Sequence, residues 1–274
     1  MNLSNKIVQR DIRTSLGLSG TAIKTIGTIC MLIDHISKTF IFFLIKDALF
    51  PMSKAGKISA TIPLLVDWFN KNIMYSIGAI AFPLFCFAIV EGYKYTENKS
   101  KLLRRLFIFA LISEIPFDLA FFSSAAFTDG TYPFYWYYQN VFFTYFLGLV
   151  LLQIIDKISM VCNHVTALCL QCIFTVITCF LAEKIIHCDY GGYGIFLITL
   201  LYALRKKRSF QIAGMLFVPL VIHNSHTVSY LISILIISAY NGKRGKNLKW
   251  FFYIFYPAHI LLLYAFNSIS FAFL

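Results

Sequence analysis

The chain has 274 residues, 59% of them hydrophobic and 18% aromatic, with 29 Phe, 16 Tyr and only 13% charged residues; its mean hydropathy is +0.73. A soluble domain carries about 25% charged residues, so this composition excludes a disordered chain, a coiled coil, a secreted disulfide scaffold and a soluble nucleic-acid binder. What remains is an all-α, polytopic membrane bundle in one domain, residues 1–274. The net charge of +12 reads as a topology signal, because Lys and Arg cluster between apolar runs as they do in cytoplasmic loops.

Residues 1–20 form a polar start, expected on the cytoplasmic side. They lack a short apolar region followed by a small-residue cleavage site, so no removable signal peptide is expected. About nine apolar segments follow, at 22–45, 73–93, 103–122, 141–155, 160–182, 192–204, 210–222, 228–240 and 249–271. The shortest fall below the roughly 17–25 residues of a straight span, so the sixth to eighth are either half-helices or extend into their flanks. With the N-terminus inside, eighteen of the 24 basic residues lie on the cytoplasmic face. They are Lys6, Arg10, Arg13 and Lys24, then Lys94, Lys99, Lys101, Arg104 and Arg105, then Lys157, the run 205–208, and Lys243, Arg244, Lys246 and Lys249. This bias agrees with nine spans, N-terminus in and C-terminus out.

Two outer loops stand out. The first, 47–72, holds IPLLVDWF (62–69), too short to span and expected to lie along the interface. The second, 123–139, holds YPFYWYY (132–138), either an aromatic belt at headgroup level or a lid over a substrate entrance. Cys30, Cys86, Cys162, Cys169, Cys172 and Cys179 all lie in apolar stretches without metal-site spacing, and the Cys169/Cys172 pair lacks a second pair nearby. No metal site is expected, and no internal repeat is visible.

A charge at the bilayer centre costs on the order of 2.5–3.5 kcal/mol, so titratable groups at that depth need a reason. At 1.5 Å per residue, His35 lies ~16 Å beyond Lys24, Glu114 ~14 Å beyond Arg105 and His259 ~15 Å beyond Lys249. The first, third and ninth segments thus deliver titratable groups to one level. Asp34 is one turn from Lys38 and either pairs with it or serves the site, while His35 is free to face another helix. Glu91 is a turn from Lys94 and either snorkels or functions. Pro116 opens the helix beside Glu114, which a wet or protein-lined interior tolerates. His223 and His226, in HNSH, read as surface groups. Such a constellation suits either proton-coupled transport or group transfer with an imidazole base.

The motifs resemble those of the TraX family, named for the conjugative pilin acetylase, within the wider group of transmembrane acyltransferases. They are MLIDHI (31–36), IGAIAFPLFCFAIVEGYKYTEN (77–98), RRLFIFALISEIPFDLAF (104–121), NVFFTYFLG (140–148), DYGGYGI (189–195) and YPAHILLL (256–263). The resemblance implies an acetyltransferase that uses cytosolic acetyl-CoA as donor and a peptide or pilin N-terminus, or a cell-surface sugar, as acceptor. It puts His35 at the centre, with Asp34, Glu114 or His259 assisting. Lys94, Lys101, Arg104 and Arg105, with Lys99, become candidates for the CoA phosphates. Asn140, Tyr190 and Glu91 become candidates for substrate or oxyanion contacts. One departure is Ala79, where relatives often carry Arg in IGRxAFP. The alternative function is a proton-coupled transporter using the same His and Glu groups.

Overall fold

The computed structural model describes residues 17–221 and 227–272. Among these residues the chain is helical, without strands; two isolated bridges, Leu18 with Tyr240 and Gln139 with Cys188, tie loops together. The helices are α1 (Gly20–Lys54), α2 (Thr61–Tyr95), α3 (Lys99–Phe121), a short α4 (Ser123–Thr128), α5 (Val141–Val161) and α6 (His164–Ile185). They continue with α7 (Gly191–Ala203), α8 (Arg208–Val221), α9 (Thr227–Ser238) and α10 (Lys249–Ala272). Five of them, α1, α2, α5, α6 and α10, are long and apolar enough to cross a membrane. Among the described residues each of the nine apolar segments falls mainly on one helix, but α7 and α9 have 13 and 12 residues, ~20 Å or less of rise.

Local chemistry sets several boundaries. Ser19, Asn98, Asn140 and Asn163 are N-caps whose side chains accept from the amides of Ala22, Lys101, Phe142 and Thr166. Gly56, at φ +71°, ends α1. Its amide donates to Ser53 O and the next amide, Lys57, to Met52 O, the paired bonds of a Schellman turn.

The outer loop expected at 47–72 is largely absent. Residues 47–54 continue α1, and 62–69 form the first turns of α2, leaving only 55–60 as the connection. Pro63 is harmless there, because the first turn of a helix has no backbone acceptor for its missing N–H. The apolar side chains remain outside the bundle, with Leu64, Leu65 and Trp68 exposed. Each of the two helices has 35 residues, ~52 Å of rise, so they extend well past a hydrocarbon core of about 30 Å. Lys6, Arg10, Arg13, His223 and His226 lie outside the described residues.

Three contacts fix the direction of α10 against α1. Lys24 Nζ sits over the Phe252 ring at 4.8 Å, His35 meets His259, and Phe40 meets Phe266 at 5.4 Å. The two helices therefore run parallel from one basic end. α3 joins them in the same direction, with Phe109 against Tyr253 and Phe121 against His35. α2 runs the other way: Phe85 meets Gly27, and Gly78 meets Asp34, where an added Cβ would stand 2.5 Å from Asp34 Cβ. Glycine is needed at 78 because α1 and α2 approach this closely beside the polar face of α1.

Candidate functional site

A cavity of about 230 Å³ opens between α1, α2, α3, α5, α10 and the loops preceding α5 and α7. On α1 it is lined by Met31, Asp34, His35 and Lys38, the spacing of one helical face. The opposing walls are aromatic, including Phe82, Phe85, Phe117, Phe121, Tyr138, Tyr145, Tyr190 and Tyr256. Just beyond His35 the helix widens into a π-turn, Ser37–Ile41, a distortion that often marks functional sites. Buried side chains hold this turn. Thr39 Oγ1 donates to His35 O at 2.6 Å, and Ser37 Oγ bonds Asn70 Oδ1 of α2 at 2.6 Å.

His35 and His259 are both buried, and His35 Nδ1 lies 2.6 Å from His259 Nε2. The rings are parallel within 1°, and their centroids are 4.9 Å apart, longer than the N–N distance only by the two ring radii. The imidazoles are thus coplanar and meet edge to edge, as an in-line hydrogen bond requires. His259 Nδ1 lies 2.6 Å from Phe255 O, and a carbonyl oxygen only accepts. His259 therefore carries its proton on Nδ1, its Nε2 accepts, and His35 Nδ1 is the donor of the neutral pair. The remaining nitrogen, His35 Nε2, keeps its lone pair and bonds to no protein group among the described residues. Phe121 and Tyr256 hold the ring by edge contacts at 5.3 and 5.9 Å.

Asp34 and Lys38 form the intrahelical ion pair that their spacing allows, at 2.7 Å. Both line the cavity. A third charged group is Asp189, in the DYGGYGI motif, to which no spacing in the sequence assigns a role. The fold places it in the cavity wall. Its loop is held by Gln139 N donating to His187 O at 3.1 Å and by Asp189 N donating to Gln139 O at 2.8 Å. The Thr144 hydroxyl also donates to Asp189 O. His187 and Tyr190, on either side, have φ of +55° and +62°, conformations that non-glycine residues keep only where the surroundings enforce them. Tyr138 OH donates to Asp189 Oδ1 at 3.2 Å. Burial pushes the Asp189 carboxyl up to about 6, against the opposing pull of Lys38 and the Tyr138 bond. Tyr190 also lines the cavity, its ring stacked on Phe82 at 3.6 Å.

Other sequence candidates lie elsewhere. Glu114, at the level of the histidines along its helix, turns to α5: its Oε2 accepts from Asn140 Nδ2 and from Asn140 N. Asn140 is fully buried; its Nδ2 also donates to Ala110 O, and its Oδ1 caps α5 through Phe142 N. Neither residue lines the cavity, and both Asn140 and Glu114 act in joining α3 to α5. Glu91 is buried against Arg208, 3.8 Å away, whose guanidinium lies over Phe87 and Tyr240. At the basic end, Lys99 binds Asp156 at 2.5 Å and Lys94 lies over Tyr95. Lys101 and Arg104 are exposed and Arg105 half-buried, near the start of α3 beside α10. Arg105 Nε is buried without a partner among the described residues.

The family described as TraX protein matches residues 19–267 of this chain. The chain is 27% identical over 205 residues to the probable fimbrial assembly protein FimC, serogroup H1, of Dichelobacter nodosus, a match covering 68% of this chain and 80% of that protein. No solved structure matches the chain.

Proposed function

The chain belongs to the TraX protein family, and from that membership and the histidine pair in its cavity we propose that it is an integral membrane acetyltransferase. It moves an acetyl group from cytosolic acetyl-CoA to an amine or hydroxyl acceptor at or across the membrane. One observation carries the reading: the Phe255 carbonyl and His259 fix the His35 tautomer, leaving Nε2 as a ready base in an aromatic cavity. The role in fimbrial assembly named for the Dichelobacter relative supports a pilin-type peptide N-terminus as acceptor, with a sugar hydroxyl as the other candidate.

In the proposed reaction the acceptor nitrogen or oxygen attacks the thioester carbonyl carbon. The new C–N or C–O bond forms, the C–S bond breaks, and the electron pair leaves with sulfur. His35 Nε2 takes the acceptor's proton and returns it to the departing thiolate, giving CoA thiol. An amine arriving as ammonium first releases one further proton to solvent. While His35 is protonated, its Nδ1–H bond to His259 spreads the charge over two rings. The shared direction of α1, α3 and α10 fits an odd number of spans, as in a nine-span topology, and the basic clusters favour the N-terminus in the cytoplasm. The basic end, with Lys101, Arg104 and Arg105, then faces the donor's phosphates, ~16 Å of helix rise from His35. Lys99 and Lys94 contribute less, being engaged by Asp156 and Tyr95.

Purified protein in detergent, given acetyl-CoA and a panel of peptide amines and sugar hydroxyls, is expected to release CoA thiol in an acceptor-dependent manner. Absence of release together with absence of acetyl-CoA binding by calorimetry would overturn the reading.

The Asp189 carboxyl adds a pH dependence. Facing it are Lys38 and Asp34 from α1 and Tyr138 from the loop before α5. With its transition near 6, Asp189 is charged above that pH and neutral below it. The KM of a cationic amine acceptor is therefore expected to rise as pH falls through 6. In Asp189→Asn the KM should be high and flat across that range; an unchanged profile would remove Asp189 from acceptor binding.

A further inference from the structure

Acyl transfer places negative charge on the thioester carbonyl oxygen, and a site for that chemistry needs a donor aimed at it. Asn140 is unsuited, because its Nδ2 is held by Ala110 O and Glu114 and it lies outside the cavity wall. Lys38, by contrast, is the one cationic side chain lining the cavity among the described residues. It follows His35 by three positions, so both side chains leave the same face of α1. The ammonium lies ~21 Å of helix rise beyond Lys24, a depth where a bare charge is costly, and Asp34 offsets that cost at 2.7 Å. The pair does not close over the cation. The Lys38 side chain keeps 44% of its surface accessible while Asp34 keeps 12%, and one of its three N–H donors goes to Asp34. Lys38 lies within the π-turn Ser37–Ile41, and its side chain is part of the cavity lining.

We propose that Lys38 is the oxyanion-stabilising group of this site, with Asp34 as the positioning residue that keeps the ammonium at the cavity wall. The inference rests on the acetyltransferase reading. As the acceptor attacks, the carbonyl π electrons move onto oxygen and the Lys38 ammonium donates to that oxyanion. On collapse the electrons return to the carbonyl, sulfur leaves, and Lys38 ends with all its protons, since the proton in transit moves through His35 Nε2. A charge-assisted bond of this kind strengthens only as the charge develops, so its removal acts on kcat in preference to KM.

The test compares wild type with Lys38→Met, Lys38→Arg, Asp34→Asn and Tyr190→Phe in steady-state CoA release, each protein first checked for a monodisperse profile. Lys38→Met should lower kcat about 100-fold or more with the KM of acetyl-CoA and acceptor within about threefold, and Lys38→Arg should recover a large part of the loss. Asp34→Asn should cost less than Lys38→Met and nothing further when combined with it. Tyr190→Phe should have the smaller effect on kcat. The proposal is overturned if Lys38→Met keeps its kcat, if its loss lies in acceptor KM, if Lys38→Arg is no better than Lys38→Met, or if Tyr190→Phe carries the loss instead. Should Lys38→Met fail to fold, Lys38→Gln takes its place under the same criteria. Activity in wild type with no effect at Lys38 refutes this inference alone, whereas a wild type that releases no CoA removes the transfer reading and this inference together.

Discussion

His35→Ala is expected to lower acceptor-dependent CoA release by about 10³-fold, within the range of about 10² to 10⁴ that a positioned general base supplies, and to leave the protein folded. The rate effect follows from the lone pair on Nε2. No other imidazole lines the cavity among the described residues, and His259 sits behind His35 with its Nδ1 committed to Phe255 O. The stability effect is modest: the substitution removes one hydrogen bond and leaves the buried His259 Nε2 without its donor, a cost of about 1–3 kcal/mol. Apparent melting in detergent beside the rate assay separates the two effects. His259→Leu completes the comparison: His35 retains a basic nitrogen but loses the partner that selects its tautomer and shares its charge, so the expected loss is smaller, about 10- to 100-fold. If His35→Ala retained wild-type turnover, the imidazole pair would be structural and the mechanism above would fall.

The opposite pattern is expected for Asn140→Ala: a large loss of stability with turnover per folded molecule preserved. Asn140 is fully buried. It caps α5 through Phe142 N at 3.0 Å, ties α5 to Ala110 O of α3 at 2.8 Å and donates to Oε2 of the Glu114 carboxyl, whose Oε1 is buried without a partner among the described residues. Losing the cap costs about 1 kcal/mol, and leaving a buried carboxyl short of a donor adds about 1–3 kcal/mol. The sum, about 2–4 kcal/mol, is large against the 5–15 kcal/mol that holds a typical domain together. A clear fall in the melting midpoint with unchanged kcat is the expected result; a folded, stable Asn140→Ala with kcat lowered 100-fold would return Asn140 to the chemistry.

These two residues also mark how far the sequence reaches. Helix periodicity and the 1.5 Å rise place His35, Glu114 and His259 at one level, since depth along a helix is a one-dimensional quantity that residue counting supplies. Which way each side chain turns about its helix axis depends on the neighbouring helix. His35 and His259 meet because α1 and α10 run parallel and in contact, with Phe40 and Phe266 closing the same seam. Glu114, at the same depth, turns to the cap of α5.

The sequence by itself determined the all-helical class with apolar segments fit for a membrane, the approximate positions of those segments and the spacing that allows an Asp34–Lys38 pair. All of these are local: hydropathy per window and side chains four residues apart on one helix. The tertiary structure decided the rest. It extended α1 and α2 through the stretch expected as a loop, because the Schellman turn at Gly56 needs only six residues to reverse the chain. It brought Asp189 into the cavity through bonds to Gln139 and Thr144, roughly fifty residues away in sequence. It also fixed the His35 tautomer through a carbonyl 220 positions further along the chain. Such long-range pairings leave no periodic trace in the sequence, and only the packing of the helices selects them.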